Sequence, residues 1–259
     1  MKFSYLKALF SFFKEKVRRF VHPKIYKTSV TVFEDRKSFY SLFLNPGDLV
    51  FDVGANLGNR VAIFFSLKNK VVAIEPQKYC YYFLKIKFSD SIVLKKCALG
   101  SKKERSFIYI NSRASTISSM SQDWISKVKK GRFGNHEWNK KEEIEVDTLD
   151  NLISQYGLPK FIKIDVEGFE IEVLKGLSQP VQIISFEYTI PEQAENVFLC
   201  LNRLHEISEN YLFNFSLDES NEFVLSKWIN YNDLLLRIEA DKNFLGGFGD
   251  IYASLNSIN

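Results

Sequence analysis

The 259-residue chain is 46% hydrophobic and 25% charged, a balance that excludes intrinsic disorder and suits one α/β domain with attachments. Its net charge of +4 is uneven: residues 1–30 hold eight Lys/Arg against one acid, giving +7, while the rest holds 27 against 30, giving −3. A body without basic excess argues against nucleic acid as a partner.

The first predicted element spans residues 3–21, where Leu6, Leu9, Phe10, Phe13, Val17, Phe20 and Val21 recur at helical spacing and Lys7, Ser11, Lys14 and Arg18 line another face. His22-Pro23 ends it, because a residue before proline avoids the helical region. Such a basic amphipathic helix suits either packing on the adjoining domain or peripheral contact with an anionic membrane at the inner surface. Lys7 and Lys14 interrupt its apolar run, so it is no membrane span, and no small-x-small site follows it to mark a secretory signal. Residues 1–44 form this helix and a lead-in, and 45–259 the main domain.

From Asn45-Pro46-Gly47 the pattern becomes short apolar runs alternating with helical stretches. Strands are predicted at 49–53, 71–74, 92–94, 107–110, 161–164 and 181–186, and helices at 59–67, 79–88 and up to Leu174. A polar insertion around 111–146 separates the two groups. The tail yields β segments at 211–217, 222–225 and 248–253 and a helix at 231–239. This order implies a mostly parallel, seven-stranded sheet with helices on both faces, the Rossmann-like α/β class.

The chemistry concentrates after the first strand, in Asp52-Val53-Gly54-Ala55-Asn56-Leu57-Gly58. Gly54 and Gly58 permit a tight turn and a close approach to a ligand at the carboxyl ends of the strands. The loop lacks the G-x-G-x-x-G spacing of a pyrophosphate cradle. Asp52 would repel phosphate but accept hydrogen bonds from the ammonium of a bound amino acid, a combination met by S-adenosylmethionine and not by NAD. Glu75, before Pro76 at the end of the second strand, is placed to accept ribose hydroxyls, and Cys97-Ala98-Leu99-Gly100 falls where an adenine edge would lie.

Asp165 and Glu167 emerge after the Phe161–Ile164 strand on the same rim. They could take a proton from an acceptor hydroxyl, offset a sulfonium charge, or bind the methionine ammonium; alternatively, either could cap the helix that follows. Glu187 joins them only if the register of its strand holds. Ser112 to Ser121, with Ala114-Ser115-Thr116-Ile117-Ser118-Ser119 at its centre, is a Ser/Thr-rich stretch that suits a polyhydroxylated acceptor or is simply a loop. Lys127–Lys141, with His136 and Trp138, reads as either a lid or a solvated insertion, and His136 ranks below the carboxylates as a base. Cys80, Cys97 and Cys200 form no C-x-x-C pair, which fits a reducing cytoplasm. No metal-ligand cluster is evident among the three histidines.

Together Phe51-Asp52-Val53-Gly54-Ala55-Asn56-Leu57-Gly58, Ile74-Glu75-Pro76, Ala98-Leu99-Gly100, Asp147-Thr148-Leu149-Asp150, Ile162-Lys163-Ile164-Asp165-Val166-Glu167-Gly168-Phe169-Glu170 and Val173-Leu174-Lys175-Gly176 resemble the FkbM family of methyltransferases over about residues 45–190. The resemblance implies methyl transfer from S-adenosylmethionine, usually to a hydroxyl oxygen of a glycan, glycolipid or related small molecule. The competing expectations are an N- or protein side-chain methyltransferase, and a non-catalytic cofactor-binding module.

Overall fold

The computed structural model describes residues 2–21, 23–241 and 243–258, with backbone alone for 2–3, 16–21 and 23–27. In chain order the elements are α1 (Lys2–Val21), α2 (Pro23–Ser41), β1 (Leu49–Val53), α3 (Asn59–Ser66), β2 (Lys70–Ile74), α4 (Lys78–Phe88), β3 (Val93–Lys95), β4 (Ala98–Leu99) and β5 (Glu104–Ile110). After a 3-10 turn at Ser115–Ile117 come α5 (Gln122–Lys129), β6 (Lys140–Asp147), α6 (Leu149–Tyr156), β7 (Phe161–Ile164), α7 (Glu170–Lys175) and β8 (Ile183–Thr189). The chain continues through α8 (Ala194–Ile207), β9 (Leu212–Leu217), β10 (Ile229–Asn230), α9 (Tyr231–Ala240) and β11 (Phe248–Ser254).

The main sheet has eight strands in the order β10-β9-β11-β8-β7-β1-β2-β3. The run from β8 to β3 is parallel throughout, and β11 lies antiparallel between β8 and β9. The strand beyond the expected seven is β10, two residues long on the outer edge of β9. The segment expected as a strand at 222–225 is not one. There the Asn214 side chain takes over the pairing, accepting from Leu225 N at 3.0 Å and donating to Leu225 O at 2.8 Å.

Side chains alternate across the central strands, and each face has its own core. Phe51, Val53, Ile162, Ile164, Ile184 and Phe186 pack under α6, α7 and α8. Val50, Phe161, Ile183 and Tyr252 face the opposite layer, where Phe39, Tyr40, Phe43 and Phe64 interlock edge to face. Burial on both faces is why these strands read as unbroken apolar runs; each fully buried aromatic or aliphatic side chain contributes about 1.5–3 kcal/mol.

Two sequence expectations change here. Pro23 does not only stop α1; it opens α2 at the first helical position, where a missing N–H costs nothing. The 111–146 insertion is not simply solvated: β4, β6 and β5 form a second, three-stranded sheet. Trp124, Ile125 and Val128 of α5 are buried with Trp138 packed against them, and Trp138 Nε1 donates to Ile117 O at 2.6 Å. No described helix is long and apolar enough to cross a membrane. His22 and the side chains of Val17, Arg18, Phe20 and Val21, which entered the predicted first helix, lie outside the described residues.

Candidate active site

A cavity of about 380 Å³ opens at the carboxyl ends of β1, β2, β7 and β8, the crevice where open α/β sheets bind ligands. Its wall includes Asp52, Gly54, Ala55, Asn56, Glu75, Pro76 and Ala98 from the expected cofactor set, and Asp165 and Glu167 from the expected catalytic pair. Gly58 and Cys97 are not part of that wall.

The turn after β1 is built by backbone pairing. Gly54 N and Ala55 N both donate to Ile74 O at 3.0 Å, and Asp165 N donates to Val53 O at 2.9 Å. These bonds lock the three strand ends together. Gly54 has φ +88°, and a Cβ there would stand 1.8 Å from Asp165 O. Its bareness lets the β1 and β7 loops touch, which is a packing requirement in addition to any approach of a ligand. Gly58, at φ +76°, serves helix packing: a Cβ would fall 2.5 Å from Leu84 Cδ2 and 2.7 Å from Phe88 Cε2, wedging α3 off α4. Cys97 is buried in the core instead of facing the cavity, and burial beside Asp147 pushes its thiol up to about 12.

Asp52 is 2% exposed, and its Oδ2 is buried without a hydrogen-bond partner. Burial lifts its carboxyl from 3.8 to about 7, with Lys163 pulling back and Asp165 pushing further up. Glu75 accepts from Gln77 N at 2.7 Å through Oε1 and from Asn56 N at 2.8 Å through Oε2. Burial raises it to about 7 even though these two N–H groups favour the ionised form. Asn56, at φ +46°, also accepts from Ser115 Oγ at 3.1 Å, tying the turn after β1 to the Ser-rich stretch. Ser115, Thr116, Ser118 and Met120 line the same cavity.

At the far side, three carboxylates converge. Ligand oxygens of Asp165, Glu167 and Glu187 all lie within 4.8 Å of one another. The register carries Glu187 there: Ile164 pairs with Phe186, so the next residues of β7 and β8 reach the same rim. Burial, then Asp165, then Glu170 push Glu167 well above the usual carboxylate range; burial, then Asp165, then Glu167 do the same for Glu187. The sequence left this cluster open because Glu187 is separated from Asp165 and Glu167 by α7 and joins them only through the β7–β8 register.

Beneath Asp165 lies Lys163, 1% exposed, whose ammonium reaches Asp165 Oδ2 at 3.3 Å and Asp250 Oδ1 at 2.8 Å. Helix capping, considered for Asp165 or Glu167, belongs to neither. Glu170 Oε1 accepts from Val166 N at 3.2 Å and Gly168 N at 3.1 Å, which holds the loop and leaves the two acids facing the crevice. His136 pairs with Asn111 at 3.3 Å and is not among the cavity-lining residues.

Sequence reading missed Arg36, Arg60 and Glu219, which also line the cavity. Arg60 Nη2 lies 3.3 Å from Glu219, and Arg36 binds the same carboxylate. Arg60 stands in the first turn of the helix that opens after the Gly loop, a usable signal. Arg36 and Glu219 gave none, lying on an unrecognised helix and in a turn after β9.

A mostly parallel sheet with helices on both faces, and a crevice lined by acids at its strand ends, define a Rossmann-like α/β protein. The family model described as Methyltransferase FkbM domain matches residues 52–221. The chain belongs to this family, and it is an S-adenosylmethionine-dependent methyltransferase. No curated protein matches. Among solved structures, a precorrin-6Y C5,15-methyltransferase of Geobacter metallireducens is similar at 11% identity, with 85% of this chain and 87% of that one covered and a TM-score of 0.43. A TehB-like SAM-dependent methyltransferase of Corynebacterium glutamicum is similar at 6% identity, with 85% and 86% covered and a TM-score of 0.44. A 16S rRNA methyltransferase of T. thermophilus, solved with AdoMet and guanosine, shares 10% identity over 87% of this chain and 42% of its own, with a TM-score of 0.40.

Proposed function

We propose that the enzyme methylates a hydroxyl oxygen on a glycan, glycolipid or related small molecule, with Asp165 and Glu167 as its catalytic acids. The observation that carries this reading is the convergence of Asp165, Glu167 and Glu187 in the same cavity as the Gly54 loop, with Glu167 and Glu187 pushed well above the usual carboxylate range by burial and by their acidic neighbours. A hydroxyl is a poor nucleophile until its proton has somewhere to go, and a buried carboxylate with an elevated pKa is a stronger base than one in water.

The residues present fit S-adenosylmethionine. The cavity falls within the roughly 300–1,000 Å³ common for such ligands. The orphaned Asp52 Oδ2 needs a donor, which an ammonium supplies, and Glu75 keeps lone pairs for ribose hydroxyls after accepting two N–H groups. Pro76 and Ala98 would flank the nucleoside, and Gly54, Ala55 and Asn56 would bound the methionine end. The bound sulfonium supplies an electrophilic methyl group. Around it, Asp165 and Glu167 would orient the acceptor hydroxyl, and one of the two would take up its single proton. Glu187 shares that proton's environment.

Six acids and two arginines line the cavity. That balance repels a phosphodiester backbone and favours an uncharged polyhydroxylated acceptor, whose hydroxyls carboxylates and Ser/Thr side chains hold well. Asp165→Asn and Glu167→Gln should each lower turnover about 10²- to 10⁴-fold, with S-adenosylhomocysteine affinity by calorimetry within a few-fold of the parent. The acceptor is sought with radiolabelled cofactor and panels of sugars, glycolipids, amines and RNA. Unchanged turnover in both variants, or labelling confined to nitrogen or RNA, rejects the proposal.

A further inference from the structure

Among the described side chains of the first helix's apolar stripe, Leu6, Phe10 and Phe13 do not dock on the domain. α1 packs on α4 through the side carrying Ala8, 0% exposed, with Tyr5 set edge-on to Tyr82 at 5.8 Å and Phe12 to Phe83 at 6.2 Å. At about 100° per residue, Leu6, Phe10 and Phe13 fall on the opposite side, and they are 59%, 71% and 56% exposed. Lys7 and Lys14 sit about a quarter turn from that stripe and are exposed. Lys7 Nζ lies 5.0 Å from the centre of the Tyr79 ring of α4, at the border between the docked side and the exposed stripe.

We propose that this face is a docking surface for an anionic phospholipid bilayer, with Leu6, Phe10 and Phe13 entering the headgroup boundary and the flanking lysines meeting lipid phosphates. The packing on α4 and the outward stripe are compatible, because they use opposite sides of one helix. Charge selects the occupant. Residues 1–30 carry +7 against −3 for the rest of the chain, so a second copy docking helix to helix on this face would bring like charges together, whereas an anionic surface neutralises them. Large aromatic and aliphatic groups interleaved with lysine are what an interfacial helix needs. The helix is too polar to span, so contact is peripheral and reversible by salt. It rests on geometry separate from the active-site reading, and either can fail alone.

The test sediments the full chain with vesicles of phosphatidylcholine alone or with one-third phosphatidylglycerol. Variants are Leu6→Gln/Phe10→Gln/Phe13→Gln and Lys7→Glu/Lys14→Glu. Circular dichroism confirms folding and light scattering reports the oligomeric state. Binding should require the anionic lipid, weaken with salt, and fall at least about tenfold in each variant. Equal binding to both vesicle types, binding unaffected by both variants, or a dimer that the triple variant dissolves without any vesicle binding overturns the proposal. Should the triple variant not fold, the Lys7→Glu/Lys14→Glu protein decides by its salt and lipid dependence.

Discussion

Asp52 holds a carboxyl group in a place that penalises its charge, and replacing it with the neutral isostere should make the ligand-free protein more stable while weakening cofactor binding. The folded-state pKa of about 7 lies above the ordinary 3.8, so folding favours the protonated form. The sign follows from linkage: below pH 3.8 both states are protonated and the group costs nothing. Between 3.8 and 7 the unfolded chain loses its proton first, and stability falls as pH rises; above 7 the full cost applies. At about 1.4 kcal/mol per unit, the interval from pH 5 to pH 7 is worth up to about 3 kcal/mol, and less where the cavity admits water to the ionised group. Asp52→Asn removes this term. Its stability relative to the parent should therefore rise by about 1 to 3 kcal/mol on going from pH 5 to pH 8, read as a shift in urea midpoint at constant slope. S-adenosylhomocysteine affinity should drop at least about tenfold for loss of the charged partner. A variant that is equally stable relative to the parent at both pH values, or that binds the ligand unchanged, refutes the assignment.

Other substitutions test the scaffold under the site. Gly54→Ala places a methyl against the Asp165 carbonyl at a positive φ, so it should cost at least about 3 kcal/mol in denaturant unfolding and abolish cofactor binding; wild-type stability would contradict the loop contact. Lys163→Met strips the counterion from Asp165 and Asp250 and should cost about 3 to 5 kcal/mol at neutral pH, with partial recovery in acid as the stranded carboxyls protonate. A flat pH response would show that the ion pair is not what the lysine supplies.

Much of the fold was legible because both-face burial makes parallel strands continuous apolar runs. The strand at 161–164 coincides with β7, and 49–53 with β1. The region 111–146 was less readable, since β6 alternates Glu and Lys with buried Glu142, Ile144 and Val146 and its partner lies some 30 residues away in chain. Local signals brought Asp52, Glu75, Asp165 and Glu167 to one rim because each stands at or just past the carboxyl end of a parallel strand. Arg36 and Glu219 reach it only through tertiary folding, which no spacing records. Glu170 was hidden for a different reason: its backbone-capping role emerges only once the loop it closes has formed.

The placement of β11 has a consequence for how the enzyme comes into being. It follows every other strand in the chain yet lies in the sheet's interior, flanked by β8 and β9, and it brings Asp250 to Lys163. A ribosome-bound chain lacking β11 would leave β8 open-edged and Lys163 short of one anion. The buried Lys163 ammonium thus gains its second anion only when β11 joins the sheet, which couples the charge balance beneath Asp165 to insertion of that strand.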